Sequence, residues 1–141
     1  MSEESKATAR RLLEEILSEG DFDAIPEVVS GGYREHDPAN DVDTEGPDGM
    51  REEFEMFRSA FGFRFTVEDQ VAERDKVANR WSFRGLHAGE FAGVAPTGNE
   101  VQMDGQVIFR FADGMIQEAW WNWDLFGLMQ QVGAIPADQP A

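Results

Sequence analysis

Cysteine is absent from the sequence, which removes disulfide frameworks, thiol nucleophiles and zinc–thiolate sites at once. Lysine is nearly absent: Lys6 and Lys76 are the only two among 12 basic residues, set against 28 acidic ones and a net charge of −16. Such a surface repels nucleic-acid backbones and anionic membranes, so neither is expected as a partner. Carboxylate excess with scarce lysine suits a protein kept soluble in high salt, where self-repulsion is screened, and it equally suits an ordinary acidic cytosolic protein. No run approaches the ~20 apolar residues that span a bilayer. The N-terminus, Met1-Ser2-Glu3-Glu4-Ser5, has neither the basic nor the apolar part of a leader, so the expected location is the cytoplasm. Also missing are a P-loop, a strand–Gly-x-Gly-x-x-Gly–helix unit and a Gly-x-Ser-x-Gly elbow, so ATP, NAD and serine-hydrolase chemistry lose their usual support.

What remains is apolar and aromatic. Hydrophobic residues make up 41% of 141, with four Trp and 11 Phe, enough for one folded domain over 1–141 with a loose tail from about 134. Residues 3–19 place Ala9, Leu12, Leu13, Ile16 and Leu17 on one side of a 3.6-residue period, which predicts an amphipathic first helix. A short helix is expected over 22–29 with Asp23 as N-cap, then a break at Gly31-Gly32. A third helix is expected from about 48 to 61, with Met50, Phe54, Phe57 and Phe61 on its apolar side.

After Gly62 the period changes from 3.6 to 2. Phe63, Phe65, Val67 and Val71 alternate with polar neighbours, as do Val77, Trp81 and Phe83, and then Val101, Met103, Val107, Phe109 and Phe111. Turns are expected at Arg74-Asp75 and Asp113-Gly114, the latter leading into a last strand over 115–124 and a short closing helix over 125–132. Helices first and an antiparallel meander second predict an α+β fold: helices packed on one face of a strongly curved antiparallel sheet, a cone enclosing a pocket. On the last strand Ile116, Trp120 and Asn122 should share one face and Ala119, Trp121 and Trp123 the other. One face would line the pocket. The other, with two indoles, would meet a second subunit, so a homodimer or homotetramer is expected.

Chemistry can sit in few places. His36 and His87 are the only histidines, each readable as a structural hydrogen-bonding group or a pocket group, and neither shows a metal-ligand spacing. No metal and no organic cofactor is expected. Asp124 ends the strand Trp120-Trp121-Asn122-Trp123 and precedes Leu125-Phe126. In that apolar company it would be desolvated toward the range useful in acid/base catalysis, or it would cap the following helix. Glu118, Asn122 and Trp120 share its alternation parity and would face the same cavity, or Glu118 would sit at the surface or rim paired with an arginine. Arg80 has the opposite parity to Trp81 and reads as a buried-edge ion-pair partner for a carboxylate rather than as a substrate clamp.

The run Gly85-Leu86-His87-Ala88-Gly89-Glu90-Phe91-Ala92-Gly93-Val94-Ala95-Pro96-Thr97-Gly98 resembles the Gly-Thr-His-x-Gly-x-x-x-Gly-x-x-Pro-Thr-Gly run of the SnoaL-like polyketide cyclases, a branch of the ketosteroid isomerase and nuclear transport factor superfamily. His36-Asp37-Pro38, the stretch from Asp75 to Trp81, that from Asp113 to Trp120, and Asp124 with Gln131-Val132-Gly133 resemble it too. Two departures stand out: Phe61-Gly62-Phe63 replaces a Phe-Pro-Asp, and Ala119 replaces a common histidine. The resemblance implies an α+β cone and a cofactor-free intramolecular aldol ring closure on a small apolar substrate. It puts Asp124 in the place of the general acid/base and His36, His87, Trp81 and Trp120 around the substrate. Isomerisation, dehydration or epoxide hydrolysis in the same pocket, the last using Glu118 and Arg80 beside a water, and a non-catalytic ligand-binding module are the other readings.

Overall fold

The computed structural model describes residues 2–136. The first helix, α1 (Ser2–Arg10), continues into a π-helical segment (Arg11–Leu17), and the five expected apolar residues are all buried. Its C-terminal end is tied to the sheet by side chains. Ser18 Oγ donates to Leu13 O at 2.7 Å and accepts from Phe65 N at 2.8 Å, while Glu14 accepts from Val67 N at 2.7 Å. Those N–H groups lie on an edge strand, where strand pairing leaves one side without partners.

A 3₁₀ turn (Phe22–Ala24) and the short α2 (Ile25–Val28) stand where one helix was expected. Asp23 caps neither of them; its carboxylate takes Arg51 Nη1 at 2.7 Å. Gly31-Gly32 does not break the chain but lies within β1 (Val29–His36). After the two-residue β2 (Thr44–Glu45), α3 spans Gly46–Ala60 with Met50 and Phe54 buried, and Phe61 already belongs to β3.

Four long strands follow as an antiparallel meander: β3 (Phe61–Glu73), β4 (Lys76–His87), β5 (Glu100–Ala112) and β6 (Met115–Trp123). The six-stranded order is β2-β1-β6-β5-β4-β3, with β1 parallel to β6, so the sheet is mixed rather than wholly antiparallel, and it is not closed. The Asp113-Gly114 turn has φ of 53° and 77°, the double left-handed conformation of a tight hairpin. Gly105 on β5 is required by packing. A Cβ there would overlap the edge of the Trp81 ring and sit 2.7 Å from Asn122 O, so only glycine lets the indole lie flat across the sheet.

Two β-bulges decide which side chains face inward. Register on β3 slips between Val67 and Asp69, with Glu68 as the extra residue, and Val71 is turned outward to 68% exposure. On β6, Arg110 pairs with Glu118 but Phe111 with Ile116, leaving Gln117 as the extra residue. Ile116, Ala119 and Trp121 therefore share the buried face, and Glu118, Trp120 and Asn122 point to the other. The expected two-face assignment of this strand is thus corrected: Trp121 and Trp123 pack inward against α3 and need no second subunit to cover them.

The last helix, α4 (Leu125–Gln131), is fixed to β5 by paired hydrogen bonds between Gln131 and the backbone of Gln102, both at 2.7 Å. Ala134 and Ile135 bond back to Met129 O, and the remainder of the expected loose tail, 137–141, lies outside the described residues. No helix among the described residues is long and apolar enough to cross a membrane.

Candidate active site

The inner face of the sheet and α3 line an inner cavity of ≈ 30 Å³ whose walls are mainly aromatic, including Phe54, Phe65, Trp81 and Trp121. Into this apolar box the chain puts carboxyl groups: Glu35 from β1, Glu53 from α3 and Asp37 just beyond β1. Beyond them, between α3, the 37–44 loop and α4, lies a wider groove of ≈ 600 Å³, which shares Asp37, Glu53, Phe57 and Trp123 with the cavity. Asp37 and Glu53 stand at the junction of the two, and Glu35 lies on the cavity side only.

Their local placement follows from periodicity. Tyr33 and Glu35 are two apart on a strand and face the same way; the Tyr33 hydroxyl donates to Glu35 Oε1 at 2.7 Å. Glu53 lies one turn from Met50 and Phe57 and beside Phe54, so helical spacing carries it into the apolar stripe of α3. Glu35 is 1% exposed. Trp123 Nε1 donates to Asp37 Oδ2 at 2.8 Å, and Asn40 Nδ2 reaches Glu53 at 3.4 Å.

Glu35 and Glu53 both line the cavity, and each shifts the other's pKa. Burial raises the pKa of both, and the pair divides the effect unequally. Glu53, facing the Glu35 charge, is pushed up to about 10, whereas Glu35, also raised, is held down in part by Glu53 and by the hydrogen bond it accepts from Tyr33. Two carboxyls buried together disfavour ionising at the same time, so the pair holds a proton above the ordinary carboxylate range, with Glu53 pushed to about 10 and Glu35 also raised. The Tyr33 hydroxyl is raised well above its ordinary value by burial and by the Glu35 charge, and it stays a donor. A protonated acid beside an ionised base in an apolar site is the arrangement that moves protons at neutral pH.

The residues singled out in the sequence are scattered around this centre. Trp81 lines the cavity. Asp124 does not: it is exposed, and Oδ1 accepts from Gly127 N at 2.9 Å as the N-cap of α4, so the expectation of Asp124 inside the enclosed pocket is corrected. Uninterrupted alternation would have put Glu118 and Asn122 in the cavity, but the Gln117 bulge turns them out. Glu118 lies 2.7 Å from His36 Nε2 and 3.1 Å from Arg110 Nε, with Asp43 3.0 Å from the other imidazole nitrogen and Trp120 against the ring. These hydrogen bonds hold His36 above its ordinary pKa and Glu118 below its own. Arg80 pairs with Asp69 at 3.5 Å, an ion pair as expected, but both side chains are exposed rather than at a buried edge, and the pair lies away from the cavity. His87 is fully buried against Phe61, its Nδ1 accepting from Thr97 N at 3.3 Å at the base of the 88–99 loop.

Tyr33, Glu35 and Glu53 were passed over in the sequence because 28 acidic residues give no contrast to any two of them. The available signals were the i, i+2 pairing of Tyr33 with Glu35 and the position of Glu53 among Met50, Phe54 and Phe57. Among the described residues no group of three or more His, Asp or Glu is arranged to hold a metal ion.

No curated protein matches the sequence. Solved structures do. A candidate SnoaL-like polyketide cyclase from Jannaschia sp. CCS1 is 26% identical over 94% of each chain, with a TM-score of 0.85. AclR, a candidate hydroxylase from Streptomyces galilaeus, is 29% identical over 97% of this chain and 85% of its own, with a TM-score of 0.84. IdmH, a candidate polyketide cyclase from Streptomyces antibioticus, is 29% identical over 92% of this chain and 98% of its own, with a TM-score of 0.81. The family profile for the SnoaL-like polyketide cyclases matches residues 7–132, and with the mixed six-stranded cone it establishes that the chain belongs to that family.

Proposed function

We propose that the protein is a cofactor-free acid/base enzyme that closes a ring, or carries out related carbonyl chemistry, on a small neutral substrate, with Glu35 as base and Glu53 as acid. The observation that carries this reading is two carboxyls, Glu35 and Glu53, brought together in the wall of one aromatic cavity, with Glu53 also lining the groove. A groove of ≈ 600 Å³ has the size of a small-molecule site. Among the described residues its walls carry Asp37, Asp41, Asp43 and Glu53 and no basic residue, so it disfavours carboxylates and phosphates and suits an uncharged ketone.

In an aldol closure Glu35 takes a proton from the carbon next to a carbonyl. The resulting enolate carbon attacks a second carbonyl of the same substrate, forming the ring C–C bond, and the oxygen left with the electron pair takes the proton from Glu53. The net change moves one proton from carbon to oxygen. Glu35, now protonated, returns a proton to Glu53, and the pair is reset. Holding the substrate folded supplies the remainder of the advantage, since the reaction joins two parts of one molecule.

Deuterium uptake from solvent into the α-position of 2-tetralone, a flat neutral ketone, reads the first step alone. The protein should accelerate it, and Glu35→Gln should lower the rate by about 10²–10⁴-fold. Exchange no faster than in buffer, or equally fast in Glu35→Gln, would remove the basis of the proposal.

A further inference from the structure

Two indole N–H groups in the wall of the inner cavity form no hydrogen bond among the described residues. Trp81 and Trp121 are 1% and 5% exposed, their ring centroids are 6.0 Å apart, both line the cavity, and Nε1 of each is buried without a hydrogen-bond partner. The other two indoles differ: Trp123 donates to Asp37, and Trp120 packs on the outer face against His36. His87 Nε2 and Arg58 Nε are also buried without partners, but neither residue lines this cavity.

A buried donor without an acceptor is unfavourable enough that folded proteins rarely keep one, and two around a common cavity call for a ligand. An indole N–H can only donate, so the ligand atom must carry a lone pair. At ≈ 30 Å³ the cavity exceeds the ~10–15 Å³ that one water needs, and Glu35 offers the acceptor such a water would donate to. The Trp121 N–H lies near enough to the Tyr33 hydroxyl and the Glu35 carboxyl to favour their charged forms, yet it lacks the geometry of a direct hydrogen bond to either.

We infer that Trp81 and Trp121 form an oxygen-binding site, occupied by a water in the resting protein and by the carbonyl oxygen of the substrate in the reaction. The inference rests on the reading of Glu35 and Glu53 as the acid/base pair and adds the group that receives the displaced electrons. When Glu35 takes the α-proton, the C–H electron pair moves into the new C=C bond and the carbonyl pair onto oxygen. That oxygen becomes an enolate held by two N–H donors fixed by packing, in a site shielded from water. Only the reacting carbonyl enters the cavity, and the body of the substrate lies in the groove.

The test is a crystal structure of the wild-type protein at a resolution that shows ordered water, with indole NMR in the presence of 2-naphthol, whose hydroxyl stands in for an enolate. The expected result is an oxygen within about 3.2 Å of Trp81 Nε1 and Trp121 Nε1, absent in Trp121→Phe and kept in Trp123→Phe. 2-Naphthol should move the indole proton resonances of Trp81 and Trp121 downfield and leave that of Trp120 in place. A cavity without oxygen density, an oxygen bonded to neither N–H, or indole resonances of Trp81 and Trp121 unmoved by 2-naphthol would overturn the inference. Should 2-tetralone exchange still depend on Glu35 in that event, the acid/base pair stands and only the oxygen site is lost.

Discussion

Glu35 and His36 are neighbours on β1 and face opposite sides of the sheet, the carboxylate into the aromatic cavity beside Tyr33 and the imidazole outward to Glu118 at 2.7 Å. One strand thus serves two separate ionisable groups, and their environments set opposite pH behaviour. Inward, burial opposes charge; outward, hydrogen bonds and opposite charges favour it.

The inward group makes stability fall as pH rises. Glu53 has a folded pKa near 10 against an ordinary 4.5, so between those values the folded protein holds a proton that the unfolded chain has released. Its stabilising contribution is complete below about 4.5 and is lost progressively toward 10. Glu53→Gln keeps a neutral amide in place of the acid and should flatten this decline. Guanidinium unfolding of both proteins at pH 5, 7 and 9 reads it: the variant should gain on the wild type with each step up in pH, and parallel curves would refute it.

His36 carries the same sign by a different cause. Its folded pKa is raised by the hydrogen bond to Glu118, so its contribution is complete below the ordinary 6.5 and disappears as pH rises through the raised value. Glu118, lowered by His36, loses its own contribution only in acid. His36→Gln should therefore be less stable than the wild type at pH 6 and differ less from it at pH 9, measured by thermal unfolding. An equal difference at both would mean that the imidazolium is not the stabilising form.

Tyr33→Phe removes the donor that Glu35 accepts at 2.7 Å. The buried carboxylate loses a partner, and the expected destabilisation is about 1–3 kcal/mol, with the Glu35 pKa raised further. Unfolding at pH 7 with carboxyl-carbon NMR checks both. A stable variant with an unchanged Glu35 titration would show that the hydroxyl is not coupled to the pair.

Gly105→Ala tests the packing that positions Trp81. The added methyl would overlap the indole, so the ring must leave its place on the sheet. Overpacking of this kind costs about 1–3 kcal/mol, and the tryptophan fluorescence should change with it. A variant with wild-type stability and spectrum would contradict the placement of the ring.

Asp124 divides the capping role from the catalytic one. Asp124→Ala should destabilise by about 0.5–2 kcal/mol through loss of the α4 cap, whereas Asp124→Asn retains an acceptor and should keep both stability and 2-tetralone exchange. Exchange abolished in a stable Asp124→Asn would return that carboxylate to the centre of the chemistry.

The first and third helices and most inward faces were legible because their apolar spacing is regular: Leu12, Leu13, Ile16, Leu17, Met50 and Phe54, and every expected apolar residue of β4 and β5, are buried. Legibility ended at β1, where Gly31-Gly32 reads as a break, and at the two bulges. Glu68 and Gln117 look like any polar strand residue, and one extra residue turns everything beyond it to the other face. That is why Val71 was expected inside and Trp121 outside. The site was lost for a related reason. The apolar company that Asp124 has along the chain is not its company in space, whereas Glu35 and Glu53 come together from β1 and α3, 18 positions apart.

The most direct test is the carboxyl-carbon NMR titration of Glu53 in the wild type and in Glu35→Gln. Titration near 10 in the wild type, lowered when the Glu35 charge is removed, is the predicted result. Titration of Glu53 near its ordinary 4.5, unchanged by Glu35→Gln, would show two independent surface acids and contradict the account.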